Sequence, residues 1–162
     1  MRMLLVPGLM VLTMVAVAPS SKYHVTVAAD KDVDFSALHT YAWTPGWGTL
    51  NPRLDEQIVT AIDRELSALG LTRHVTGPAD VLVTYGTVRR TNVDVHAKRS
   101  GTPRVYPEYP VGTLVVVMMD PFSRRELFRA RATMPVDIDS AQLAAAIDTI
   151  VAQVFARYPT RT

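Results

Sequence analysis

The chain contains no cysteine. That absence excludes disulfides, thiolate zinc sites and a cysteine nucleophile. It also excludes lipid attachment through an N-terminal cysteine. A strong charge of either sign is missing too. Lys and Arg total 17 against 15 Asp and Glu, a net charge of +2, so nothing global argues for a nucleic-acid partner. The four histidines (His24, His39, His74 and His96) never pair at i, i+4 on a predicted helix and fit no zinc spacing. There is no Gly-x-Ser-x-Gly elbow. Lys98-Arg-Ser-Gly-Thr102 lacks the spacing and residue order of a phosphate-binding loop. No repeat and no low-complexity tract occurs, and no residue set calls for a metal or cofactor. What remains is a chain of 162 residues, 48% hydrophobic and 20% charged. Those are ordinary values for one globular domain with a real core.

The chain opens on an apolar run. Arg2 and the amino terminus are positive, and residues 3–18 carry no charge. As a helix the run would reach roughly 24 Å, short of the hydrocarbon thickness of a bilayer. Pro7 and Gly8 weaken it further as a permanent span. Residues 1–20 therefore read as an export signal. Ala16-Val17-Ala18 fits the small-x-small rule, but cleavage there would put Pro19 in the scissile bond. Cleavage after Ser20 avoids that, and residues 21–162 form the single mature domain. The expected location is the periplasm or a loose association with a membrane. Retention of the run as an anchor is the alternative.

Residues 23–29 alternate and read as a strand. Asp34 caps a short turn at 35–38, and residues 39–43 form a second strand. Residues 44–49 are a loop by their glycine and proline content. Asn51 and Pro52 start a helix, with Asn as cap and Pro at the first helical position. Leu54, Ile58, Ile62, Leu66 and Leu69 make its apolar stripe, and Gly70 ends it. A short strand at 71–75 and strands at 79–88, 112–119 and 125–136 follow. Residues 89–111 lack clear period. Asp139 or Ser140 caps a last helix with Leu143, Ala146, Ile147, Ile150, Val154 and Tyr158 on its buried side. The expected fold is α+β: two layers, an antiparallel sheet of four to six strands with two helices on one face.

Asp34-Phe-Ser followed by Thr40-Tyr-Ala-Trp43 resembles the opening motif of the bacterial domain-of-unknown-function 4136 family. The helix over 54–70, Ala79-Asp-Val-Leu-Val83, Gly112-Thr-Leu114 and Asp120 follow in the family's order. Leu127-Phe-Arg-Ala130 falls where the family tends to carry Leu-Val-Trp-Arg-Gly, and Tyr158-Pro159 resembles its closing motif. The resemblance implies an exported, often lipid-anchored envelope protein of no settled activity. This chain lacks the lipobox cysteine on which that anchoring depends. The resemblance brings no catalytic residues with it.

Asp30-x-Asp32-x-Asp34 resembles the start of a calcium loop, but Phe35 and Tyr41 stand where glycine and glutamate are required. Asp94-x-His96 could orient a general base, against the plainer reading of an exposed loop pair. Tyr41, Trp43 and Trp47 are candidate ligand-binding residues, stacking on sugar or peptide. The plainer reading packs Tyr41 or Trp43 under the first helix. Arg89, Arg90, Lys98, Arg99 and Arg104, followed by Tyr106 and Tyr109 among Pro103, Pro107 and Pro110, suit an anionic surface such as lipid head groups or cell-wall polymer. An extended hairpin with a solvated loop is the plainer reading of that basic stretch. The expected function is a non-enzymatic interaction or structural module of the cell envelope, its partner an envelope protein, anionic lipid or cell-wall polymer. The alternative is a hydrolase or a specific ligand binder acting on envelope material.

Overall fold

A computed structural model of the chain describes residues 23–49, 51–93, 108–136 and 139–159. Residues 1–20, expected to be an export signal, the Asp94–His96 pair, and Lys98, Arg99 and Arg104 lie outside the described residues. The elements are β1 (His24–Ala29), β2 (Thr40–Trp43), α1 (Pro52–Ala68), β3 (Thr72–Arg73), β4 (Val81–Val93), β5 (Glu108–Met119), β6 (Glu126–Pro135) and α2 (Ser140–Phe155). A single 3-10 turn, Phe35–Ala37, joins β1 to β2 and is capped by Asp34, whose carboxylate accepts from Ser36 N.

The six strands form one sheet in the order β1-β6-β5-β4-β2-β3. The β1, β6, β5 and β4 strands are antiparallel. The expectation of an all-antiparallel sheet needs correction: β2 runs parallel to both β4 and β3. The cause is α1, which lies between β2 and its two partners in the chain. A helical crossover returns the chain in the same direction, whereas a tight turn reverses it. The basic stretch is also more regular than its composition suggests. β4 continues to Val93 and β5 begins at Glu108, in register Arg90↔Val111 to Val93↔Glu108. Period is hard to read there because both ends of the hairpin carry exposed polar side chains.

The helix termini follow local chemistry. Asn51 Oδ1 accepts from Arg53 N at 3.1 Å and Leu54 N at 3.4 Å, and Pro52 removes an amide that would otherwise need a partner. Gly70 closes α1 at φ 86°, a conformation that glycine adopts at little cost. Asp139 caps α2 by accepting from Gln142 N at 2.8 Å. Both helices cover one face of the sheet. Ile58, Ile62 and Leu66 of α1 share one core with Ile147, Ile150 and Val154 of α2 and with Val83, Val116 and Phe128 of the sheet. Where the helices end, Phe35, Phe128, Phe155 and Tyr158 pack together. Phe35 meets Tyr158 edge-on at 5.2 Å, and Phe128 stacks on Phe155 at 6.1 Å.

One margin of the sheet is short, and the other carries a side-chain contact. β3 has two residues. On β1, the Arg157 guanidinium donates to the carbonyl of Val25.

Candidate functional site: a cleft between the helix starts

Thr87, Leu114 and Ala132 lie side by side across β4, β5 and β6, as do Arg89, Gly112 and Met134. Both helices begin over this end of the sheet. Here the cover is incomplete, and a cleft of about 820 Å³ opens between α1 and α2. Leu54 and Ile58 form one wall; Leu143, Ile147 and Ile150 form the other; Leu114, Ala132 and Met134 form the floor. The volume is of the size that takes a small organic ligand.

Two features shape this end. The loop after β2 runs beside β4, with Trp47 bridging Gly86, and forms the rim instead of filling the space. Gly112, in the floor, has no side chain, and a Cβ there would stand 2.5 Å from Val136 Cγ1. Glycine there makes room for the Val136 side chain, which folds over Gly112 from just beyond β6.

The polar atoms of the cleft are largely engaged within the protein. Thr87 Oγ1 donates to the Gly48 carbonyl at 2.9 Å, and Thr49 Oγ1 accepts from Asn51 N at 3.3 Å. The Asn51 oxygen is occupied as the α1 cap. Arg89 is the one charged side chain among the lining residues. Hydrocarbon and one guanidinium therefore dominate what a ligand would meet.

A second arrangement lies on the flank of α1. Asp63 Oδ1 accepts from the Tyr41 hydroxyl at 2.6 Å and from Trp43 Nε1 at 2.8 Å, while its Oδ2 accepts from Arg73 at 2.8 Å. Eight residues earlier, Asp55 accepts from the Tyr85 hydroxyl. Burial, reinforced by the neighbouring carboxylate, pushes both phenols above the usual tyrosine range. These carboxylates are engaged as acceptors for neutral phenols. Their role is structural, since they fasten α1 to β2 and β4.

The aromatic candidates separate accordingly. Tyr41 is 1% exposed in the core. Trp43 is half-buried and meets Tyr85 edge-on at 6.2 Å. Trp47 is 81% exposed and contributes to the rim of the cleft. Of the basic candidates, Arg89 and Arg90 are both exposed on β4. Successive strand residues point to opposite faces, so Arg89 follows Val83, Tyr85 and Thr87 to the helix side and Arg90 takes the open side. Sequence reasoning missed Asp55 and Asp63, since charged residues on a helix ordinarily belong to a solvated face. A weak signal was present: each lies beside the apolar stripe. Among the described residues, no group of three or more His, Cys, Asp or Glu side chains converges as metal ligands would. None of the helices described is long and apolar enough to cross a membrane.

Fold and cleft together define a small two-layer α+β domain, with a mixed sheet backed by two helices and an apolar cleft at their starts. The family described as "Domain of unknown function (DUF4136)" matches residues 25–160, and the chain belongs to it. Among solved structures, a PDZ domain protein from Parabacteroides distasonis is similar at TM-score 0.59 and 18% identity, over 86% of this chain and 37% of that one. This chain thus spans little more than a third of that protein. The PelC dodecamer from Paraburkholderia phytofirmans is similar at TM-score 0.57 and 12% identity, over 86% of this chain and 99% of that one. At such identities the likeness is one of fold. No curated protein matches the sequence.

Proposed function

We propose that the domain is a non-enzymatic module of the cell envelope that holds an apolar ligand in the cleft between its helix starts. The observation that carries this reading is the lining: aliphatic walls and floor, with the rim hydroxyls of Thr49 and Thr87 already hydrogen-bonded within the protein. Such a surface gains free energy by taking hydrocarbon out of water, about 25 cal/mol per Å² buried. Hydrolysis needs an acid or base within reach of the reacting bond. Arg89 is the one charged side chain among the described lining residues, and no carboxylate or imidazole stands beside it in that lining. The apolar run at residues 3–18 supports export, and the absence of cysteine supports a protein without a lipid anchor.

The test is uptake of a neutral, environment-sensitive fluorescent hydrocarbon by the purified protein. Saturable binding is expected. It should be lost in Leu54→Trp and Leu143→Trp, which fill the cleft from partly buried positions, provided circular dichroism shows the fold retained. Uptake that these variants leave unchanged would place the ligand elsewhere and end the proposal. Cell fractionation tests the location: recovery of the full-length chain in the cytosol would contradict export.

A further inference from the structure

We infer that the ligand of this cleft is a single-chain amphiphile with an anionic head, its tail between α1 and α2 and its head on Arg89. The inference rests on the proposed reading of the cleft and adds the ligand's charge and polarity. Its basis is the position of one guanidinium. Arg64, Arg73, Arg125 and Arg129 each pair with a carboxylate, and Arg157 donates to a backbone carbonyl. Arg89 makes no ion pair among the described residues, yet it borders the apolar cleft.

Strand alternation sends Arg89 to the helix side, opposite Gly112 and the Val136 side chain that covers it. The methylenes of the arginine can lie along the apolar wall while its head stays wet. A carboxylate held there can be bound through two parallel N–H···O contacts. Charge attraction beside hydrocarbon is screened less than in open water. The cleft has the scale of one drug-sized ligand, which suits a single tail.

The experiment compares a fluorescent polyene fatty acid with its neutral methyl ester, both below their aggregation concentrations. The hosts are the wild type, Arg89→Gln, Arg89→Lys and the cleft-filling Leu143→Trp. The wild type should bind the acid about tenfold more tightly than the ester, the scale of one charge-assisted contact. Arg89→Gln should bind acid and ester alike, Arg89→Lys should keep part of the preference, and Leu143→Trp should bind neither. Arg89 is exposed, so its replacement should leave the fold intact. Equal binding of acid and ester by the wild type, or a preference that survives Arg89→Gln, would overturn the inference while leaving an apolar cleft in place. Failure of the wild type to bind either probe would overturn the cleft reading and this inference with it.

Discussion

Trp43 Nε1 donates to Oδ1 of Asp63 across 2.8 Å, tying β2 to the flank of α1. The same oxygen accepts the hydroxyl of Tyr41, a residue only 1% exposed. Asp63→Ala would leave that buried hydroxyl without its acceptor and should cost about 2 kcal/mol. Asp63→Asn keeps an oxygen for both donors and loses chiefly the attraction to half-exposed Arg73, so its cost should stay below about 1 kcal/mol. Urea denaturation of the two variants checks the order. Equal losses would mean that charge, and not hydrogen bonding, is what Asp63 supplies.

Tyr41 and Tyr85 are both held protonated beyond the usual tyrosine range by burial and by Asp63 and Asp55. A raised folded pKa gives stability that is whole below the unfolded pKa, about 10 for tyrosine, and is lost as pH climbs past it. Stability should therefore fall above that point by about 1.4 kcal/mol per pH unit for each phenol that resists ionisation. The double variant Tyr41→Phe, Tyr85→Phe should flatten this alkaline limb. Tyrosinate absorbance appearing for all six tyrosines before unfolding would refute the assignment.

Two glycines near the rim should differ in their tolerance. A Cβ at Gly46 would stand 2.2 Å from the Tyr85 carbonyl oxygen, which is backbone within β4 and has no room to retreat. Gly46→Ala should cost more than about 2 kcal/mol. A Cβ at Gly86 would meet the Trp47 ring at 2.9 Å, but that ring is 81% exposed and can swing outward. Gly86→Ala should cost less than about 1 kcal/mol and should change Trp47 emission. Thermal melts and fluorescence spectra of the pair decide the matter.

Asp80 should shape the acid limb. One of its oxygens accepts from His39 N at 2.9 Å, Thr40 N at 2.8 Å and Thr40 Oγ1 at 2.9 Å, joining the starts of β2 and β4. The His39 amide, followed by the Thr40 hydroxyl, lowers its pKa. A lowered folded pKa gives stability that is present above the unfolded value, about 3.9, and lost as pH falls through the folded one. Asp80→Asn should be less stable at neutral pH, by at most about 1 kcal/mol at so exposed a site. Its stability should also change less below about pH 4 than the wild type's. An acid limb identical to the wild type's would show that Asp80 contributes nothing there.

Much of the architecture could be read from local chemistry. Asn51, Pro52 and Gly70 mark the ends of α1, and Ile58, Ile62 and Leu66 mark the side it buries. Asp139 marks the start of α2. Strand pairing could not be read in the same way. Whether residues 40–43 run parallel or antiparallel to their neighbours depends on where a helix returns the chain, and no residue in the strand records that. The cleft was hidden for a related reason. Ile58, Ile147 and Leu114 have the pattern of ordinary core residues, and only the gap left between two helix starts over one end of the sheet turns them into walls and floor. Arg89 was one of five basic candidates, and its separation from Arg90 follows from strand alternation once β4 is known to extend to Val93.

The outer margin of β1 has a consequence for the company this domain keeps. An uncovered strand is a template on which a neighbouring chain can add its own backbone. Here Arg157, just beyond α2, occupies the carbonyl of Val25, and the opposite border of the sheet is a strand of two residues. The β3 border offers only a short ladder for recruitment, and a strand added on β1 would have to displace Arg157 from Val25. Copies of this domain crowded together should thus find little backbone to share at the β3 border, and Arg157→Ala should make the β1 border the easier of the two to extend.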